Sequence, residues 1–220
     1  MAPRLAPLAA LFLLACGRAG EPGPSTGGPS GNRPVEPVPV VGLPCEGCDT
    51  VFVGMPAAPG PETRVAAATE PGEALTIRGT VRDAGGRAVS GIVVYVYHTD
   101  AEGLYPRDEV HRTRHGRLRA WARTDELGRY TFHTVRPGSY PGTDEPQHVH
   151  MHVIEPGRCT YYIDDLLFDD DPLLTPARRA ALTGRAGSGV AVPTRDDRGV
   201  WQAGRDIMLG RNIPGYPPRP

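Results

Sequence analysis

An all-β fold, an antiparallel β-sandwich with one short helix, is the class this sequence predicts, and three observations predict it. The chain carries 28 Gly and 25 Pro among 220 residues, close to a quarter, a composition of loop-rich β domains and unlike helical bundles or coiled coils. Apolar and β-branched residues fall in short runs, several with a period of two. Asp- and Gly-rich turns separate those runs.

The folded part is expected at residues 45–220. Residues 74–82 alternate and read as a strand, followed by a turn at Asp83-Ala84-Gly85-Gly86-Arg87. Residues 92–98 are β-branched and aromatic and read as a buried strand. A third strand runs from Arg129 to Val135, a fourth from Gln147 to Ile154, and another is expected near Val200–Leu209. One helix is signalled: Thr175 suits an N-cap, Pro176 the first helical position, and Gly184 the stop. The length allows one domain of ordinary size.

Two segments precede that domain. Arg4 stands before an apolar run, Leu5–Ala15, that is shorter than the roughly 20 residues a membrane span needs. This is the layout of a secretory signal. Leu13-Leu14-Ala15-Cys16 resembles a bacterial lipobox, which implies a signal peptide cut before Cys16 and a lipid on its thiol. Residues 17–44 hold Gly or Pro at 14 of 28 positions and read as a tether. The expectation is an exported, membrane-anchored lipoprotein, periplasmic or cell-surface, with outer-membrane sorting favoured by Gly17 in a Gram-negative cell.

The charge balance, 24 basic against 25 acidic residues for a net −1, gives no excess to neutralise phosphates, so nucleic acid is not an expected partner. All the basic residues are Arg. Besides Cys16 there are Cys45, Cys48 and Cys159. Cys45-Glu46-Gly47-Cys48 reads first as a structural disulfide, with a redox pair or half a metal site as alternatives.

The chemistry concentrates in Gln147-His148-Val149-His150-Met151-His152. On a strand, residues two apart share a face, so His148, His150 and His152 project to one side and neighbours among them can reach one ion. Three imidazoles in five residues point to a metal, and imidazole alone suits zinc, copper, nickel or iron. His98, His111, His115 and His133 have no such spacing and are assigned to surfaces or turns. Tyr95, Tyr97 and Tyr130 lie inside strands and read as packing. The acids Asp164, Asp165 and Asp169–Asp171 read as a solvated turn before the helix.

Four segments then follow in a telling order: a strand ending in Gly103-Leu104-Tyr105, the run Thr124-Asp125-Glu126-Leu127-Gly128-Arg129-Tyr130-Thr131-Phe132, the turn Pro137-Gly138-Ser139-Tyr140-Pro141, and His148-Val149-His150. Together they resemble the intradiol ring-cleavage dioxygenases, the catechol- and protocatechuate-cleaving non-haem ferric enzymes. The resemblance spans about residues 76–154. It implies the prealbumin-like sandwich of that family, and Fe(3+) held by Tyr105, Tyr140, His148 and His150. It also implies an aromatic ortho-diol and O2 as substrates and a muconate-type diacid as product. Tyr140 takes the catalytic role, leaving the metal and accepting a proton. The donor set suits the ion: ferric iron is hard and favours anionic phenolate oxygen.

Some positions depart from the family. Glu145 stands where catechol-cleaving members carry an Arg three residues before the first His. His152 replaces an apolar residue, as a second-shell partner or merely a residue on the same face. The family Gln after the His strand falls on Tyr161 or Asp165. Two rival readings follow from the residues: a non-catalytic binding module on the same scaffold, to which Glu145 points, and a zinc hydrolase built on His148, His150 and His152.

Overall fold

The computed structural model describes residues 38–45 and 47–218. The segment read as a signal peptide and Cys16 lie outside the described residues, as does most of the segment read as a tether. Among the described residues there are eleven strands and one helix: β1 (Glu62–Arg64), β2 (Ala74–Arg82), β3 (Val93–Tyr97), β4 (Arg119–Arg123), β5 (Arg129–Val135), β6 (His148–Glu155), β7 (Cys159–Phe168), α1 (Pro176–Ala181), β8 (Val190–Ala191), β9 (Thr194–Arg195), β10 (Trp201–Gly204) and β11 (Ile207–Met208).

They form two sheets. One runs β1-β5-β2-β10-β9, with β11 also on β2; the other runs β4-β3-β6-β7-β8. The long ladders β2–β5, β3–β4, β3–β6 and β6–β7 are antiparallel, as expected. The short pairs β1–β5, β10–β2, β11–β2 and β7–β8 are parallel, a feature the sequence reading did not contain. The strand expected near 200–209 divides at Arg205 and Asp206, because the Arg205 side chain turns into the interior. Strand β4 was missed because Arg residues flank its apolar centre, and β7 because its two acids imitate a turn. In α1, Thr175 caps as expected, its Oγ1 accepting from Arg178 N at 3.3 Å.

Alternation sends each strand of the second sheet two ways. Val94, Val96, Val149, Met151 and Val153 enter the core between the sheets with Leu75, Ile77 and Phe132. Val93, Tyr95, Tyr97, Trp121 and Ile154 face outward, yet they too are buried. Two loops cover them. Val51 packs there, its carbonyl accepting from Trp121 Nε1 at 2.8 Å. Buried Arg119 donates to Val53 O at 2.6 Å and to Asp108 Oδ2 at 2.9 Å, tying both loops to the sheet. The covered outer face of this sheet is where the histidines lie, and all eight residues of β6 are buried.

Residues 39–41, read as part of a tether, pair with the edge of β7. Val41 N donates to Thr160 O at 2.9 Å and Thr160 N to Pro39 O at 2.8 Å. β8 covers β7 only at Leu167 and Phe168, so the edge at Thr160 is left for this apolar segment to pair with.

Candidate metal centre

The two expected tyrosines come from turns packed against each other. Gly103 sits at φ +83, and a side-chain carbon there would collide with the Ser139 carbonyl. A carbon on Gly138 would lie 2.5 Å from Ala101 O and 2.6 Å from Gly103 N. Thr99 Oγ1 donates to Gly138 O and Gly138 N to Asp100 O, each at 2.8 Å. Both glycines are therefore required by close backbone approach, and that approach sets Tyr105 and Tyr140 side by side.

Their hydroxyls are 2.7 Å apart. Tyr140 Oη is 3.1 Å from His148 Nε2 and 3.3 Å from His150 Nε2. The two Nε2 atoms are 3.2 Å apart, and His150 Nε2 is 2.9 Å from Tyr105 Oη. Four donor atoms from three chain segments thus converge on one point. Two donors at right angles, each about 2.1 Å from one ion, lie about 3 Å apart, which is the spacing present.

The far side of each imidazole fixes its tautomer. His148 Nδ1 donates to Pro146 O at 2.7 Å, and His150 Nδ1 to Asp165 Oδ1 at 3.1 Å. Each Nε2 is then left with a lone pair facing the centre. Burial alone would raise the Asp165 carboxyl. The charge and hydrogen bond of His150, the charge of His148 and the Tyr162 hydroxyl at 2.5 Å outweigh that and hold it below its usual range. Without a cation, burial, and then the Tyr140 hydrogen bond and charge, push the Tyr105 phenol far above its ordinary value. A cation bound between them would supply what that buried pair of phenols lacks for ionisation.

Asp165 is a site residue that the sequence reading placed in a solvated turn, or opposite the family Gln. Between the pairs Val149–Leu166 and Met151–Ile163, the register shifts so that Asp164 and Asp165 stand opposite the single residue His150. This bulge aims Asp165 at the imidazole. The sequence signals for Asp165 were the adjacent-acid pattern inside an apolar run and the alignment with the family Gln. The solvated acidic turn expected there holds for Asp169 and Asp170, which are exposed in a turn before the helix, and is corrected for the others: Asp164 and Asp165 lie in β7, Asp164 accepting from Thr183 Oγ1 and Gly184 N, each at 2.7 Å, and buried Asp171 accepts from Gln147 N at 2.6 Å.

His152 does not join the centre. It is fully buried on the same face, and its Nδ1 lies 3.7 Å from Cys48 Sγ. The three-histidine arrangement of the zinc reading is therefore not formed. Cys45 and Cys48 are joined as a disulfide, as expected, and Cys159 is a buried free thiol. Glu145 accepts from Arg178 Nη1 at 2.9 Å, and Arg178 also reaches Asp144 at 3.0 Å. Two other histidines are corrected from surface to interior. His98 bonds Thr99 O at 2.6 Å and Thr134 Oγ1 at 2.7 Å. His115 bonds the Tyr95 hydroxyl at 2.7 Å and stacks on Tyr97 at 3.7 Å between ring centres. Tyr97 in turn stacks on His150 at 4.4 Å, walling the centre on one side.

Comparison with known proteins agrees with this architecture. A family model described as Dioxygenase matches residues 51–186. The protocatechuate 3,4-dioxygenase beta chain of Burkholderia cepacia is 31% identical over 118 residues, 47% of this chain and 48% of that one. The chlorocatechol 1,2-dioxygenase of Rhodococcus opacus is 30% identical over 131 residues, 52% of this chain and 51% of that one. The chain thus spans about half the length of these relatives. Among solved structures, the dioxygenase domain of a carbohydrate-binding fusion from Streptomyces sp. SirexAA-E shares the fold, with a TM-score of 0.54 at 22% identity over 69% of this chain and 88% of that one. The family model covers more than half of the chain, which therefore belongs to the intradiol dioxygenase family.

Proposed function

We propose that the chain is a ferric intradiol dioxygenase that cleaves an aromatic ortho-diol with O2 between its two hydroxyl-bearing carbons, giving a muconate-type diacid. The observation that carries this reading is the convergence of Tyr105, Tyr140, His148 and His150, with each hydroxyl or Nε2 atom 2.7–3.3 Å from at least two of the others. Two phenolates and a hydroxide would offset the three positive charges of Fe(3+) beside two neutral imidazoles, and with Tyr140 displaced and protonated, the Tyr105 phenolate and a doubly deprotonated diol would do the same. Bound there, ferric iron supplies the Lewis acidity that activates the diol toward O2.

The chain's own groups do the remaining work. Tyr140 Oη lies within 3.3 Å of three other donors, so this phenolate is placed to accept a diol proton as substrate displaces it. Asp165 and Pro146 O hold the two imidazoles in the ligating tautomer. The Arg178 bridge to Glu145 and Asp144 offsets part of the negative charge that replaces the family Arg.

We propose separately, from the signal-like run Leu5–Ala15 and the lipobox-like Leu13-Leu14-Ala15-Cys16, that the chain is exported and anchored through lipid on Cys16. Replacing Cys16 with Ser should abolish incorporation of labelled fatty acid.

The test of the enzyme reading is the visible spectrum of the purified chain, with its iron content. A phenolate–Fe(3+) charge-transfer band at one iron per chain is expected, together with O2 uptake on adding catechols. Tyr140→Phe should shift the band and Tyr105→Phe should weaken iron binding. A colourless chain that takes up no iron would refute the reading.

A further inference from the structure

Two features of the sequence take no part in the centre above: His152 and the Cys45-x-x-Cys48 loop. They are separated by about half of the chain, and the fold brings them together. Cys48 Sγ lies 3.7 Å from His152 Nδ1. The two sulfurs and a His152 nitrogen all lie within 4.8 Å of one another. His152 is 0% exposed, and its Nε2 has no hydrogen-bond partner. With Cys45 and Cys48 oxidised, the hydrogen-bond partner of this buried imidazole among the described residues is a disulfide sulfur, a weak acceptor.

We propose that Cys45, Cys48 and His152 form a second metal site, open when the disulfide is reduced, for a thiophilic d10 cation, Zn2+ or Cu+.

The ligand chemistry separates this site from the first. Two thiolates and an imidazole are soft donors that favour such cations over Fe(3+), and two phenolates favour the reverse. Strand geometry separates them in space. His150 and His152 project from the same face two residues apart, about 7 Å along β6. Tyr97 and Tyr95 stand opposite them in register. The turn at Gly47, φ +73, closes the loop over His115 and the Tyr97 hydroxyl and seats both sulfurs beside His152. Three ligands leave one position on a tetrahedral ion for water or an incoming donor.

A dithiol or phosphine reductant gives two electrons to the S–S bond, and two protons complete the thiols. Metal binding then releases both protons as two S–metal bonds form. With Zn2+ the two thiolates make the site neutral.

The test uses the full chain, reduced with a phosphine under anaerobic conditions and titrated with Co2+ as a coloured stand-in for Zn2+. The reduced chain should bind one equivalent with a thiolate–Co2+ charge-transfer band, and added Zn2+ should bleach it. The oxidised chain should show no such band. Cys48→Ser and His152→Ala should each lose the band while keeping iron content and colour, which also shows that they fold. Cys159→Ala and Cys16→Ser should retain it. No band in the reduced wild type overturns the proposal, and so does an unchanged band in His152→Ala.

Discussion

Gly103 and Ser139 meet backbone to backbone: any side-chain carbon on Gly103 would collide with the Ser139 carbonyl. The contact joins the turn that carries Tyr105 to the turn that carries Tyr140, so the 2.7 Å hydroxyl spacing depends on a residue that ligates nothing. Gly103→Ala also places a side chain at φ +83, a conformation costing about 1–2 kcal/mol by itself. We expect about 2–4 kcal/mol lost in denaturant unfolding, counting the clash, and a chain with less than stoichiometric iron. Unchanged stability and iron content would mean that the two turns are positioned independently.

Asp165 should matter for metal affinity more than for folding. Asp165→Asn keeps the volume and removes the charge behind His150. Loss of such an outer carboxylate typically weakens metal binding about 10–100-fold. A chelator-competition titration should show that loss with the circular dichroism spectrum unchanged. Wild-type affinity in the Asn variant would mean that the carboxylate has no hold on the imidazole.

Arg205 is fully buried and donates to four backbone carbonyls: Ala186 at 3.3 Å, Asp206 at 2.8 Å, Asp164 at 3.3 Å and Arg185 at 3.1 Å. Asp164 belongs to the bulge beside His150, so Arg205 braces the bulge from the other side. Arg205→Met leaves those carbonyls buried without donors, and we expect a loss of about 3 kcal/mol or more. Urea unfolding measures it. A loss below about 1 kcal/mol would show that water replaces the guanidinium there.

Stability should fall in mild acid through His98. Burial is the main cause that pushes its pKa down to about 4, partly countered by the hydrogen bond to Thr99 O. The unfolded chain takes up this proton near pH 6.5, before the folded chain does. Stability is therefore complete above about pH 6.5 and lost as pH falls toward 4, by up to about 3 kcal/mol. His98→Gln should flatten the stability curve in that window. Equal slopes for wild type and variant would assign the acid sensitivity to other groups.

Much of the site was legible because its rules are local. Period-two alternation puts His148 and His150 on one face wherever the strand is placed. The glycines of Gly103-Leu104-Tyr105 and Gly138-Ser139-Tyr140 mark turns that no other residue fits. The long strands and the Thr175 cap likewise follow from patterns a few residues wide.

What the sequence by itself determined, then, is which residues share a face and where the chain turns. Which faces are covered was decided by tertiary structure alone. The outer face of the second sheet reads as polar on its histidines, yet the loops tied down by Trp121 and Arg119 bury it. For that reason His115 lies inside and Tyr97 becomes a wall of the centre, whereas His98, in phase with Val94 and Val96, is buried toward the other sheet at Thr134. Partners distant in sequence were equally beyond local reading. Asp165 reaches His150 only through a register shift between two strands, and His152 meets Cys48 only because a loop folds back across β6. Such contacts are set by packing of the whole domain, and no short window of residues encodes them.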